Sequence, residues 1–172
     1  AITRKSKLVY AKGFGYSNCL DSIPVEPWNL FRIASVSKLI TAAAVMKLCE
    51  SGLLDLDDKV FGPGGWLNDP EFMKYTDKRI AQITIRHLLT HTSGWNHKNF
   101  DPAFAPLVVA RQTGAKTAAG TDELIRYTVG QKLRYEPGSR YSYSNTGYCI
   151  LGKVIEKASG MPYERYVQFS LL

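Results

Sequence analysis

Cysteine is scarce in this sequence, and its spacing builds no framework. Cys19, Cys49 and Cys149 are an odd, widely separated set with no Cys-x-x-Cys pair for a metal or redox site. Cys49 and Cys149 fall in apolar helical runs, where a thiol packs as a small hydrophobe. No apolar run reaches the roughly 20 residues of a membrane span. No secretory leader is read ahead of Ala1, so the residues set no compartment. Internal repeats of domain or motif length are missing, though the tripeptide Tyr-Ser-Asn occurs twice, at Tyr16-Ser17-Asn18 and Tyr143-Ser144-Asn145. There is no Gly-x-Ser-x-Gly elbow. The three histidines, His87, His91 and His97, form no His-Glu-x-x-His motif. The i, i+4 pair His87 and His91 therefore lacks a third ligand and is expected to be structural; no metal or organic cofactor is implied.

Acid is the under-represented charge: 15 Asp and Glu stand against 22 Lys and Arg, a net charge of +7. The one dense basic cluster is Arg4, Lys5 and Lys7. Without a zinc-finger spacing, an RNP1 motif or a basic helical stripe, the excess speaks for solubility and not for nucleic acid. At 172 residues the chain fits one domain or a large piece of one, and can bury about 70% of its unfolded surface.

Residues 2–16 read as two short strands around a polar turn at Lys5-Ser6. Residues 17–30, with Pro24 and Pro27, read as loop, and Tyr16-Ser17-Asn18 as a turn. From Ser35, "SVSKLITAAAVMKLCESG" is apolar around nearly its whole circumference, which predicts a buried helix through the middle of the molecule, ended by Gly52. "ITIRHLLTHTSG" predicts a short helix capped by Thr84 and ended by Gly94. Residues 95–120 lack periodicity. Thr121 stands as the cap of a helix whose first turn carries two acids. After Pro137-Gly138 a further helix is expected with Asn145 as its cap and Gly160 as its stop, and Pro162 opens a last one still apolar at Leu172. The fold class is α+β. That ending, and a two-stranded hairpin marginal by itself, lead us to expect an incomplete single domain over 1–172, with strands in 1–16, a mostly helical part over 35–172, and the remaining sheet strands in a C-terminal segment elsewhere in the same domain.

Of the serines, Ser35 alone has a lysine three residues on. At i and i+3 on a helix, the Ser35 hydroxyl and the Lys38 ammonium are neighbours. A helix N-terminus favours developing negative charge, and a lysine in an apolar helix shifts its proton affinity readily. A serine nucleophile also needs a base. A phenol serves if a cation stands beside it: a unit charge at about 4 Å and an effective dielectric of about 20 contributes about 4 kcal/mol. That is enough to bring a tyrosine from about 10 toward about 7. Tyr143, framed by a Pro-Gly turn and a helix start, is the better placed of the two copies.

"FRIASVSKLITAAAVMKL", "DLDDKV", "ITIRHLLTHTSGW" and "EPGSRYSYSNTGYCILGKVIEKASGMPYERYV" together resemble the class C beta-lactamase and D-alanyl-D-alanine carboxypeptidase family, the penicillin-binding-protein-like serine hydrolases. The similarity runs from about Leu8 to the last residue, in the family's order. It implies that Ser35 is the acylated nucleophile, Lys38 its partner, Tyr143 the base and Asn145 a contact to the substrate amide, with lysine and tyrosine both arguable as the proton acceptor. It implies a beta-lactamase/transpeptidase-like fold, a small-molecule or peptide substrate (a beta-lactam, a peptidoglycan peptide or an ester), and a periplasmic or secreted location. "LLTHTSG" matches a family hallmark read as structural. The family's third motif, Lys or His-x-Gly on a later strand that also supplies an oxyanion donor, has no match after Asn145. The expectation is an acyl-transfer hydrolase whose residues 1–172 are inactive alone. The alternative is a non-catalytic binding or sensing module of the same fold.

Overall fold

The computed structural model describes residues 1–171. Leu172, where the last helix was expected to be still running, lies outside them. Two compact units are present, Ala1–Ala34 and Ser35–Leu172.

The first unit is built from two hairpins. Strands β1 (Ile2–Arg4) and β2 (Lys7–Tyr10) pair antiparallel with Thr3 opposite Leu8. Lys5 and Ser6 turn the chain at φ 49° and 60°, the left-handed values that a two-residue hairpin turn demands. Strands β3 (Tyr16–Asn18) and β4 (Ile23–Pro24) form the second hairpin. This corrects the expectation of loop over 17–30 and of a turn at Tyr16-Ser17-Asn18. The tripeptide is strand, and only its last residue starts the turn, Asn18 Oδ1 accepting the Leu20 N–H at 2.9 Å. The Ser17 hydroxyl ties the pair by donating to Ile23 O at 3.2 Å. Pro24 is tolerated because a two-strand ribbon is all edge.

The second unit is helical. Its helices are α1 (Ser37–Glu50), α2 (Ile85–Leu89), α3 (Pro106–Thr113), α4 (Thr121–Val129), α5 (Asn145–Ser159) and α6 (Tyr163–Ser170). The expected Thr84 cap is present, its hydroxyl accepting the His87 N–H at 3.3 Å. Left-handed glycines follow α1 and α5, Gly52 at φ 71° and Gly160 at φ 68°. At α4 the cap is Gly120 and not Thr121, because the Glu123 carboxylate reaches back to the Gly120 N–H at 3.0 Å.

The central helix is α5, not α1. α5 packs against α1, α2, α4 and α6 and buries Ile150, Leu151, Val154 and Ile155. α1 buries Thr41, Ala44, Val45 and Leu48 against α5 and α6, while Leu39 on its other side is 70% exposed. An all-apolar circumference does not say which face packs. The contacts offered by α5 and α6 decide it, including a 2.7 Å bond between the Thr41 and Tyr163 hydroxyls.

Three links set the chain around the site. The 3₁₀ segment Lys78–Gln82 is capped by Asp77, whose carboxylate accepts the Arg79 N–H, Nε and Nη2 and the Leu133 N–H. Arg79 passes the link on to Glu136 at 2.8 Å. Gly94 O accepts from Arg134 N at 2.9 Å and Tyr135 N at 3.1 Å, and Thr92 O accepts from Gly138 N at 2.8 Å. Gly94, at φ 102°, has no room for a side chain, since a Cβ would lie 2.5 Å from Tyr135 O. α2 ends at Leu89, so the expected helical stretch to Gly94 is a strap, Thr90 to Gly94, laid along residues 134–142.

The hydrogen-bonded Arg79 guanidinium holds the Asp77 carboxyl well below the usual carboxylate range. A carboxylate depressed in the fold contributes stability above its unfolded value of about 3.9, and that contribution is lost as pH falls through the folded value. Asp77→Asn should therefore lower the melting temperature by several degrees at pH 7, with the gap from wild type narrowing progressively below about pH 4, as read by circular dichroism melts.

Candidate active site

Ser35 lies in a 3₁₀ turn, Ala34–Val36, directly ahead of α1. Val36 supplies no side-chain cap to α1, so the positive end of the helix dipole beside Ser35 is not offset by a capping oxygen. Ala34 is held at φ 46°, a left-handed conformation costing an alanine about 1 kcal/mol or more.

The structure brings together all four residues singled out in the sequence. Ser35 Oγ and Tyr143 Oη are 2.7 Å apart. Lys38 Nζ donates to Ser35 Oγ at 3.3 Å and to Asn145 Oδ1 at 2.6 Å. The ammonium also lies 4.8 Å from the centre of the Tyr143 ring and 5.5 Å from that of Tyr148, a cation–π setting that replaces part of its lost hydration. Ser35 and Tyr143 are exposed and Lys38 is half-buried.

One role differs from expectation. The cap of α5 is Ser144, whose buried hydroxyl accepts the Gly147 N–H at 3.0 Å, and Asn145 is the first helical residue. Both residue types cap well. Because Ser144 performs this task, the Asn145 amide is available to point at Lys38.

Sequence reasoning expected His91 to be structural without saying what it holds, and it missed Tyr148 and Asp101. His91, at φ 58°, pins the Tyr143 loop twice: its carbonyl accepts the Ser142 N–H at 2.7 Å and its Nδ1 accepts the Ser144 N–H at 3.2 Å. Its ring packs on those of Tyr143 and Tyr148 at 4.5 Å and 5.1 Å. Tyr148, one turn beyond Asn145, donates its hydroxyl to Leu89 O at 3.1 Å. Asp101 accepts from Asn145 Nδ2 at 2.7 Å through Oδ2. Hints existed for the first two, a His in the strap and a Tyr at i+3 from Asn145, whereas Asp101 lies in a stretch with no periodicity to read. His97 Nδ1 stands 3.3 Å from Ser144 Oγ. His87 Nδ1 accepts the Thr84 N–H at 3.2 Å. Among the described residues no three His, Cys, Asp or Glu side chains converge as a metal site.

The charges are arranged to favour a phenolate. The Lys38 ammonium at the phenol lowers the Tyr143 pKa below its ordinary value, the Ser35 hydrogen bond adds to this, and burial and Asp101 oppose it. Burial and then the Lys38 charge push His91 below the usual imidazole value. His91 is thereby kept neutral, as its acceptor role at Ser144 requires.

The beta-lactamase family model matches residues 1–172. The chain belongs to the beta-lactamase family of serine hydrolases. It is 35% identical to penicillin-binding protein 4* of Bacillus subtilis (strain 168) over 166 residues, which is 95% of this chain and 33% of that protein. The structure superposes on the octameric penicillin-binding protein homologue from Pyrococcus abyssi with a TM-score of 0.72 at 34% identity, covering 98% of this chain and 36% of that one. Against EstCE1, a hydrolase with promiscuous acyltransferase activity, the TM-score is 0.74 at 30% identity, covering 98% and 44%. The chain spans about a third of the length of the curated relatives it matches. These neighbours agree with an α+β, beta-lactamase/transpeptidase-like fold.

Ser144→Ala removes the cap of α5 and a partner of His97. It should cost about 1 kcal/mol, a fall of roughly 2–4 °C in melting temperature, measurable by scanning calorimetry.

Proposed function

We propose that the chain carries the nucleophilic centre of an acyl-transfer serine hydrolase acting on an amide, lactam or ester carbonyl. The observation that carries this reading is the 2.7 Å contact between Ser35 Oγ and Tyr143 Oη, with Lys38 Nζ 3.3 Å from the same Oγ. A hydroxyl becomes a nucleophile when a base is in hydrogen-bond reach, and a phenol becomes a base when a cation stabilises its anion.

Ser35 Oγ attacks the carbonyl carbon as its proton passes to the Tyr143 phenolate oxygen. The carbonyl π bond opens to an oxyanion. Collapse of that intermediate breaks the bond to the leaving nitrogen or oxygen, which takes the proton from Tyr143 and leaves an ester on Ser35. Water then attacks the ester with Tyr143 again receiving a proton, and Ser35 leaves with it. Lys38 holds Tyr143 and Asn145 in place. Asn145 meets an amide of the substrate, the role its position in the Tyr-x-Asn motif implies.

An oxyanion needs preorganised donors, each worth about 10²–10³ in rate, and no Lys or His-x-Gly follows Asn145 in this sequence. We therefore assign full turnover to the whole protein, with residues 1–172 alone showing little, and the later strands as the partner that completes the cleft.

The test is covalent labelling of the whole protein by a fluorescent penicillin and by an activated phosphonate, with peptide mapping. The label should sit on Ser35 and disappear in Ser35→Ala; a folded protein labelled by neither probe overturns the reading. Tyr143→Phe should slow labelling about 10²–10⁴-fold. The rate should rise with pH along a limb centred below the ordinary phenol value of about 10. Lys38→Met, by removing the cation that lowers Tyr143, should move that limb upward and reduce the rate at pH 7.

A further inference from the structure

We infer that Asp101 is a positioning residue of this site: its carboxylate fixes which way the Asn145 amide faces and so holds Lys38 against Ser35 and Tyr143. The inference rests on the acyl-transfer reading above and deepens it.

The Asn145 amide lies between two groups with fixed polarity. Lys38 Nζ can only donate, and it does so to Oδ1 at 2.6 Å. The Asp101 carboxylate can only accept, and it takes Nδ2 at 2.7 Å through Oδ2. An amide caught between an ammonium and a carboxylate has one acceptable orientation. The reverse would set NH₂ against ammonium and carbonyl oxygen against carboxylate.

Asp101 is itself immobilised. Its other oxygen, Oδ1, accepts the Ala103 N–H at 3.0 Å and caps the 3₁₀ turn Pro102–Phe104, in which Pro102 is buried. That turn packs against α3, α4 and α5. One oxygen thus anchors the residue and the other reaches into the site. The capping task needs only the first, so the second contact is not a by-product of the cap. The line of polarity runs from Asp101 through Asn145 to Lys38 and ends on Ser35 Oγ.

The two tasks separate in Asp101→Asn. The new amide keeps an oxygen for the Ala103 N–H, so the turn stays capped. Its NH₂ then faces the Asn145 NH₂, donor against donor.

The measurement is the rate at which an activated phosphonate labels Ser35 in the whole protein. This probe carries no acyl amide, so it does not draw on the substrate contact of Asn145. Asp101→Asn should melt near wild type yet label on the order of 10²-fold more slowly, the loss a misplaced reacting group brings. Wild-type labelling speed in Asp101→Asn overturns the inference. A second readout does not depend on labelling: the side-chain amide proton signals of Asn145, one strongly deshielded by the carboxylate, should move together in Asp101→Asn. If wild type takes no label, the hydrolase reading fails by itself. The Asn145 signals still decide for Asp101, unmoved signals overturning its hold on the amide and moved ones upholding it.

Discussion

A half-buried ammonium with no carboxylate in contact among the described residues is the feature around which the site is organised. Taking a cation from water costs several kcal/mol unless its donors are met. Lys38 meets this with neutral dipoles and rings: the Asn145 carbonyl oxygen, the Ser35 hydroxyl, and the faces of Tyr143 and Tyr148. A directly paired carboxylate would satisfy the charge more cheaply, but it would cancel the field that lowers Tyr143. Asp101 stands one residue further out, with the Asn145 amide between its charge and that of Lys38. The nearby ammonium is the main influence lowering the Tyr143 phenol, and the more distant Asp101 opposes it only weakly. Distance here sorts a structural charge from a chemical one.

Holding the phenol beside that cation requires order across the sequence. The 3₁₀ turn and the start of α1 bring Ser35 and Lys38 from one region, and the loop before α5 and the first residue of α5 bring Tyr143 and Asn145 from more than a hundred residues later. The strap after α2 joins them. Its Thr92, Gly94 and His91 carbonyls take the N–H groups of Gly138, Arg134, Tyr135 and Ser142 in turn. A loop that would otherwise be free is thereby fixed by a ladder like that of a strand pair. Left-handed backbone is spent at both ends, at Ala34 beside the serine and at His91 beside the tyrosine. Neither is glycine, and such conformations persist where the surroundings over-determine them.

The sequence disclosed those parts of the site that local chemistry fixes. Ser35 and Lys38 meet because i and i+3 are neighbours across a helical turn, here the 3₁₀ turn running into α1, and Thr84, Gly52 and Gly160 mark ends because caps act within one turn. Tertiary selection was less visible. Ser144 and Asn145 are both good caps, and only the demand of Lys38 for an acceptor settles which residue caps and which reaches inward. The apolar circumference of α1 suggested the central helix, yet burial on one side only came from the neighbours it met. Asp101 was illegible for a physical reason. Its bond to Asn145 spans 44 positions, and a capping aspartate looks the same whether or not its second oxygen has other work. The repeated Tyr-Ser-Asn makes the same point, one copy lying in a hairpin strand and the other at a helix start.

The neutral state of His91 connects the charge pattern to the fold. Its Nδ1 accepts the Ser144 N–H, which only an unprotonated nitrogen can do. Were the ring to take a proton, that acceptor would become a donor facing a donor, and a second cation would stand against the Tyr143 and Tyr148 rings beside Lys38. Burial and Lys38 both oppose that protonation. With the folded value below the ordinary one of about 6.5, the contribution of the neutral ring is present above that pH and is lost as pH falls through the folded value. Thus the cation that lowers the phenol also keeps the imidazole neutral, and the neutral imidazole holds the loop that carries the phenol. One positive charge serves the reactivity of Tyr143 directly and its placement through His91, so the electrostatics and the architecture of the site are not separable.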